Sequence, residues 1–189
     1  RLATKEKISA VAETSNAFIF ELVPSQTIFS NTVWCFTDTT PGMISLLQSA
    51  IHEEWTRLLT STLKDDLRYV ASECIETLPV GRDALSTELC KAEQVYLMKR
   101  HELMAISGNS LRGFHEAFNS PYSSTEEQQA ARSAWLRINQ IIIDYLRFND
   151  LEVAYGFGLD HLDFDEDASI PEDIELQLNR GSLFFKKAD

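Results

Sequence analysis

The stretch PGMISLLQSAIHEEWTRLLTSTLKDDLRYVASEC, residues 41–74, decides how the chain is read. Ile44, Leu47, Ile51, Trp55 and Leu58 recur at steps of 3, 4, 4 and 3, and Leu59, Leu63, Leu67, Val70 and Cys74 continue at 4, 4, 3 and 4. Steps of three and four keep side chains on one face of a helix. Pro41 after Thr40 suits a helix start, because the first helical N–H has no intrahelical partner to lose. The expectation is a single helix over about 41–77, about 55 Å long at ~1.5 Å per residue. Two helices broken near Thr60-Ser61-Thr62 are the alternative, with Thr62 and Asp65 capping the second.

Working outward, Pro79 and Gly81 end this element, and Asp83 caps a further helix carrying Leu85, Leu89, Ala92, Tyr96, Leu103 and Ile106. Gly108-Asn109 stops it. A short helix follows over 110–118, and after Pro121 a long one runs from Thr125 to about Phe148 with Ala131, Trp135, Ile138, Ile142 and Tyr145 inward. On the other side, residues 3–16 read as a short helix with Ile8, Val11 and Ala12 on one face. Residues 17–23 and 27–36, rich in Phe, Ile, Val and Thr around Pro24-Ser25-Gln26, suit a β-hairpin or a helix running on to Pro24.

Beyond Asp150 the periodicity fades. Residues 153–159 suit a strand or an ordered loop; residues 170–187 suit a helix starting at Ile170-Pro171 or a hairpin turning at Asn179-Arg180-Gly181. The fold expected is therefore mainly α: an antiparallel bundle of about four helices with small irregular or β elements at both ends. An α+β alternative pairs the 17–36 hairpin with strands from 153–187. The organisation expected is an N-terminal helix and hairpin over 1–40, a bundle over 41–149 and an acidic segment over 150–189.

That last segment dominates the charge. Residues 1–149 hold 14 basic and 18 acidic side chains, whereas 150–189 hold 3 and 11, so the C-terminal fifth supplies two thirds of the net −12. Crowded carboxylates repel one another unless a cation or a basic partner faces them. A pI near 4.7 with scattered Lys and Arg argues against nucleic acid, whose binding draws on basic side chains neutralising phosphates. The apolar runs are short, Ala17–Phe20 and Ile141–Ile143 among them, against about 20 residues for a membrane span. Cys35, Cys74 and Cys90 are an odd, widely spaced set, which fits free thiols in the cytoplasm better than a disulfide framework. A chain beginning with Arg1 reads as part of a longer product.

Asp163-Phe164-Asp165-Glu166-Asp167, preceded by Asp160 and His161, is the sharpest pattern. Alternating carboxylates can wrap a divalent cation, with Asp163, Asp165 and Asp167 as ligands. Against the EF-hand template, Ala168 stands where the turn needs Gly and Ile174 where a Glu closes the shell. His52-Glu53, His101-Glu102 and His115-Glu116 read as helix-surface pairs, since neighbours on a helix diverge by about 100°. Arg112 and His115, three apart on one short helix, are candidates for phosphodiester chemistry. Cys74 and Cys90 read as core packing.

The leading functional expectation is a non-catalytic protein-binding module, such as an inhibitor, an immunity-type factor or an adaptor. Its acidic C-terminal surface would engage a partner with a basic face through Tyr155, Phe157, Asp160, Asp163, Phe164, Asp165, Glu166 and Asp167, aromatic anchors in a charged rim. The alternatives are a metal-dependent enzyme or sensor built on the carboxylates of 160–167, and a helical-bundle nuclease using Arg112 and His115. No cofactor beyond a divalent cation is implied, and oligomeric state is left open.

Overall fold

The computed structural model describes residues 6–15, 18–60, 62–63, 66–120, 125–147, 151–155 and 183–187. It falls into two compact units, Arg1–Gln94 and Val95–Asp189.

The first unit is mixed α+β. Strand β1 (Lys7–Ala12) lies at the centre of a three-stranded antiparallel sheet, flanked by β3 (Glu21–Pro24) and β4 (Val33–Phe36). Ile8 sits opposite Val23, and Ala10 lies between Glu21 and Cys35. Ile8, Ser9, Ala10 and Val11 are all buried, as befits a strand covered on both faces. The short helix expected over 3–16 is thus a strand. Its spacing of Ile8, Val11 and Ala12 satisfies a helical period and a fully buried strand equally, and pairing on both edges decides the matter. The two arms expected to form a hairpin do contribute strands, but each pairs with β1 and not with the other.

A second small sheet has the order β2-β6-β5, with β2 (Thr14–Ser15), β5 (Thr62–Leu63) and β6 (Asp66–Arg68). Thr14 pairs with Arg68 across the sequence, and Thr62 with Leu67 locally. The long helix expected over 41–77 is therefore divided into α1 (Met43–Leu47), α2 (Ala50–Leu59), the β5–β6 hairpin and α3 (Ala71–Cys74). Ser49 is extended and its hydroxyl accepts from the His52 amide, which starts α2 afresh. Thr60 is extended and ends it. The buried positions on α2 are Ala50, His52 and Thr56, whereas Leu58 and Leu59 face solvent, so the inward face is not the apolar stripe.

An aromatic core explains that choice. Phe18, Phe20, Phe36, His52 and Tyr69 pack with ring centroids 5.0–6.4 Å apart, mostly edge to face. The Gln48 amide clips the strand segment to α1, accepting from the Phe20 amide at 2.9 Å and donating to the Phe18 carbonyl at 2.8 Å. Gly42 precedes α1 at φ 88, a left-handed conformation that glycine adopts without a Cβ penalty. The helix thus starts at Met43 after Gly42 and not at Pro41. Helix α4 (Thr87–Ile106) begins four residues beyond Asp83, which lies in a 3-10 turn, Arg82–Ala84. The Ser86 hydroxyl accepts from the Leu89 amide at 3.1 Å and acts as its cap. Buried Glu93 reaches from α4 to the start of α1, accepting from the Gly42 and Ser45 amides at 3.0 and 2.9 Å.

The second unit contains the rest of α4, α5 (Leu111–Asn119), α6 (Glu126–Leu146) and an antiparallel pair, β7 (Leu151–Tyr155) with β8 (Leu183–Lys187). Gly108 and Asn109 both have positive φ and terminate α4, as their spacing predicts. Ser110 and Thr125 cap α5 and α6 with their hydroxyls. Phe118 lies between Phe114 and Trp135 at centroid distances of 5.3 and 6.1 Å. From α6, Gln128 and Arg132 donate to the carbonyls of Ala117, Phe118 and Ser120, filling acceptors left open at the end of α5.

The α+β alternative is the nearer one, with different partners. The N-terminal strands form their own sheet, and β7 pairs with β8. A purely helical bundle is not what the chain builds. Among the described residues, no helix is long and apolar enough to cross a membrane.

Candidate functional site

In the first unit, exposed chemistry collects where its two sheets meet. Glu13 lies between β1 and β2. Its amide donates to the Thr32 carbonyl at 2.8 Å, and its carbonyl accepts from the Tyr69 amide at 2.6 Å. The end of the β3–β4 loop and the exit from β6 are thereby held on either side of one residue. The Glu13 Oε1 atom accepts from Arg68 Nε and Nη2, each at 3.1 Å. Beside it, Trp34 Nε1 donates to the Tyr69 carbonyl at 2.9 Å, leaving the indole 38% exposed. The Ser30 and Thr32 hydroxyls bond at 2.5 Å.

A guanidinium, an indole and hydroxyls are thus linked through Glu13, Thr32 and Tyr69, whose bonds join elements far apart in sequence. The Arg68 side chain is 57% exposed, so its ion pair is worth at most about 1 kcal/mol. It orients the fork without sequestering it. A guanidinium fork recognises paired acceptors in one plane, whether on a base edge or on a phosphate.

A second exposed pair lies farther along. Asp38 accepts from the Thr40 amide at 3.1 Å and its hydroxyl at 2.6 Å through Oδ1, while Oδ2 meets Arg82 Nη2 at 2.5 Å. The Asp38 turn thus holds a guanidinium that is 74% exposed. Between the two pairs in sequence, the β3–β4 loop is tied by Ser25 donating to the Glu6 carbonyl and Thr27 to the Pro24 carbonyl.

His52 is no surface histidine. Its Nδ1 lies 2.8 Å from the Leu47 carbonyl, which can only accept, so the proton sits on Nδ1. Nε2 is left to accept from the Tyr69 hydroxyl at 3.1 Å. Burial pushes the His52 imidazole down to about 4, against a smaller opposing effect of the Leu47 bond. Burial likewise raises the Tyr69 phenol, which stays a donor. The pair is neutral and structural.

Of the residues expected at a site, Tyr155 ends β7 opposite Leu183. Phe157, Asp160, His161, Asp163, Phe164, Asp165, Glu166 and Asp167 lie outside the described residues. Arg112 and His115 both lie on α5, where Arg112 Nε donates to Glu116 Oε1 at 2.9 Å in a surface pair 89% and 63% exposed. Among the described residues, no group of three or more His, Cys, Asp or Glu is placed to hold a metal ion. Sequence reasoning missed Glu13, Trp34, Asp38, Arg68 and Arg82. No local motif marks them, since the Glu13–Arg68 partners stand 55 positions apart.

Comparison with known proteins bears on this unit. Residues 5–82 match the family described as MmeI, target recognition domain. The chain is 32% identical over 100 residues to DNA methyltransferase A of Bacillus subtilis (strain 168), covering 53% of this chain and 11% of that protein. Its fold is similar to that of the Type IIL restriction-modification enzyme MmeI, solved in complex with DNA, with a TM-score of 0.59 at 18% identity over 76% of this chain and 19% of the other. The chain thus spans about a tenth of its curated relative and about a fifth of its structural one. These likenesses overturn the expectation of a protein-binding module whose charge argues against nucleic acid. That expectation rested on the charge of the whole chain, and charge summed over a chain does not describe one contact surface.

Proposed function

We propose that this chain is a DNA-recognition module within a larger cytoplasmic restriction-modification protein, and that its first unit reads the target sequence. The observation that carries this reading is the match of residues 5–82 to a target recognition domain. The exposed guanidiniums of Arg68 and Arg82, each held by a carboxylate, supply the chemistry. A fixed Arg fork donates to guanine O6 and N7 together, and such a contact discriminates by about 1–3 kcal/mol against the wrong base.

Residues 5–82 carry 6 basic and 10 acidic side chains, a balance that gives little attraction to phosphates. On this reading, base contacts and not phosphate contacts carry most of the chain's affinity for its duplex, and the module supplies discrimination.

The test is selection from a randomised duplex pool by the 189-residue chain at low ionic strength, followed by binding to the enriched duplex. The expected outcome is enrichment of a defined sequence. Arg68→Ala should weaken binding about 10-fold and relax preference at one base pair, whereas a phosphate contact would weaken all sequences alike. No enrichment over the starting pool would remove the proposal.

A further inference from the structure

The β3–β4 loop presents one side chain that the fold does not use. Ile28 is 97% exposed, the most exposed of the large apolar side chains among the described residues. Its neighbours are half-buried Phe29 and the polar Ser25, Gln26, Thr27, Ser30, Asn31 and Thr32. The loop is anchored at both ends, by Ser25 donating to the Glu6 carbonyl at 3.1 Å and by the Thr32 carbonyl accepting from the Glu13 amide at 2.8 Å. Thr27 closes a turn onto Pro24, and the Ser30–Thr32 hydroxyl bond stiffens the return. Ile28 therefore stands midway along a tethered, mostly polar loop, whose descending arm ends beside the Glu13–Arg68 pair.

Full exposure of a β-branched apolar side chain gives the folded chain no burial. Phe29 beside it is half-buried, and the exposed side chains around it, Gln26, Thr27, Ser30 and Asn31, are amides and hydroxyls, so it is suited to an apolar group lying among hydrogen-bonding edges. The major groove offers such a group: thymine presents its C5-methyl beside the acceptors and donors of adjacent bases, and Gln and Asn suit adenine. Resting on the DNA-recognition reading above, we propose that the loop over residues 25–32 enters the major groove and that Ile28 reads thymine through its C5-methyl group.

A methyl-deletion cycle tests this. A duplex enriched by the chain from a randomised pool is prepared with thymine, and again with deoxyuridine at every thymine of the enriched site. Both are titrated against the wild-type chain, Ile28→Val and Ile28→Ala. Burial of one methyl corresponds to a factor of about four in affinity. The wild type and Ile28→Val should therefore bind the uracil duplex about fourfold more weakly than the thymine duplex. Ile28→Ala should bind the thymine duplex more weakly than the wild type and treat both duplexes alike.

Equal loss on methyl removal in the wild type and Ile28→Ala overturns the proposal, as does an enriched site without thymine. Unchanged binding by Ile28→Ala overturns it too. Failure to enrich any duplex is a different result, because it removes the underlying DNA-recognition reading. The side chain is exposed, so none of these substitutions disturbs the core.

Discussion

The neutral His52–Tyr69 pair makes the first unit sensitive to acid in a calculable way. His52 titrates at about 4 in the folded chain, against 6.5 when unperturbed, because burial beside Phe20 and Tyr69 at the end of α1 disfavours the imidazolium. Between these values the unfolded chain binds the proton and the folded chain does not. Stability is thus complete above the unfolded value, falls as pH drops toward the folded one, and loses nothing further from this group below it. The full loss is about 3 kcal/mol, at ~1.4 kcal/mol per pKa unit. Between about pH 7.5 and about pH 5.5, where most carboxylates remain ionised, the same linkage gives about 1.3 kcal/mol. The assay is urea denaturation at both pH values for the wild type and His52→Gln. The variant is less stable at either pH, since it loses the bonds to Leu47 and Tyr69, but its pH-dependent loss should be smaller by about 1 kcal/mol. Equal pH dependence in both proteins would refute a buried, neutral imidazole.

Two substitutions test how the units are built. Glu93→Ala removes the acceptor of the Gly42 and Ser45 amides and should cost about 3 kcal/mol, read as a lower urea midpoint, because two buried donors lose a charged partner. In the second unit, a Cβ at Gly113 would lie 1.7 Å from the Ser107 carbonyl oxygen, so Gly113→Ala forces the α4–α5 connection to shift. It should lower stability by more than about 1 kcal/mol despite a better helix propensity, and a stabilised variant would contradict the close approach.

What could be read from the chain depended on how local its determinants are. The α4–α6 region was legible, since long amphipathic stretches with Gly108-Asn109 and Thr125 as punctuation owe their form to neighbours in sequence. Residues 41–74 were not. Their apolar positions recur at helical steps, yet polar His52 and Thr56 point inward and Leu58 and Leu59 outward, because the aromatic core supplies hydrogen bonds to His52 that no pattern of hydrophobicity encodes. Arg68 belongs to a strand because Thr14 pairs with it, and that pairing spans more than fifty positions. The candidate site fails to appear for the same reason: Glu13, Trp34 and Arg68 meet only once β1, β4 and β6 are assembled.

Charge misled in a way that bears on the proposed mechanism. Attraction to phosphate scales with the cations a protein can set against the backbone, and it is blind to sequence. A strongly basic recognition module would bind every duplex, and its base contacts would contribute a small fraction of a large total. An acidic one binds appreciably only where its few oriented donors and apolar tips find matching edges, because repulsion lowers every affinity alike and takes non-specific binding below what is populated. On the proposed reading, the surplus of carboxylates over cations in residues 5–82 keeps non-specific binding low and leaves base contacts to set the affinity. The consequence is measurable: Asp-to-Asn and Glu-to-Gln changes on exposed positions of the first unit, away from Glu13 and Asp38, should tighten binding to unrelated duplexes and to the enriched one by similar factors, because the repulsion removed is blind to sequence. Non-specific binding, immeasurably weak in the wild type, should then become detectable while the ratio of the two affinities holds. If neither affinity rises, the negative charge does not face the duplex and is a solvated surface alone.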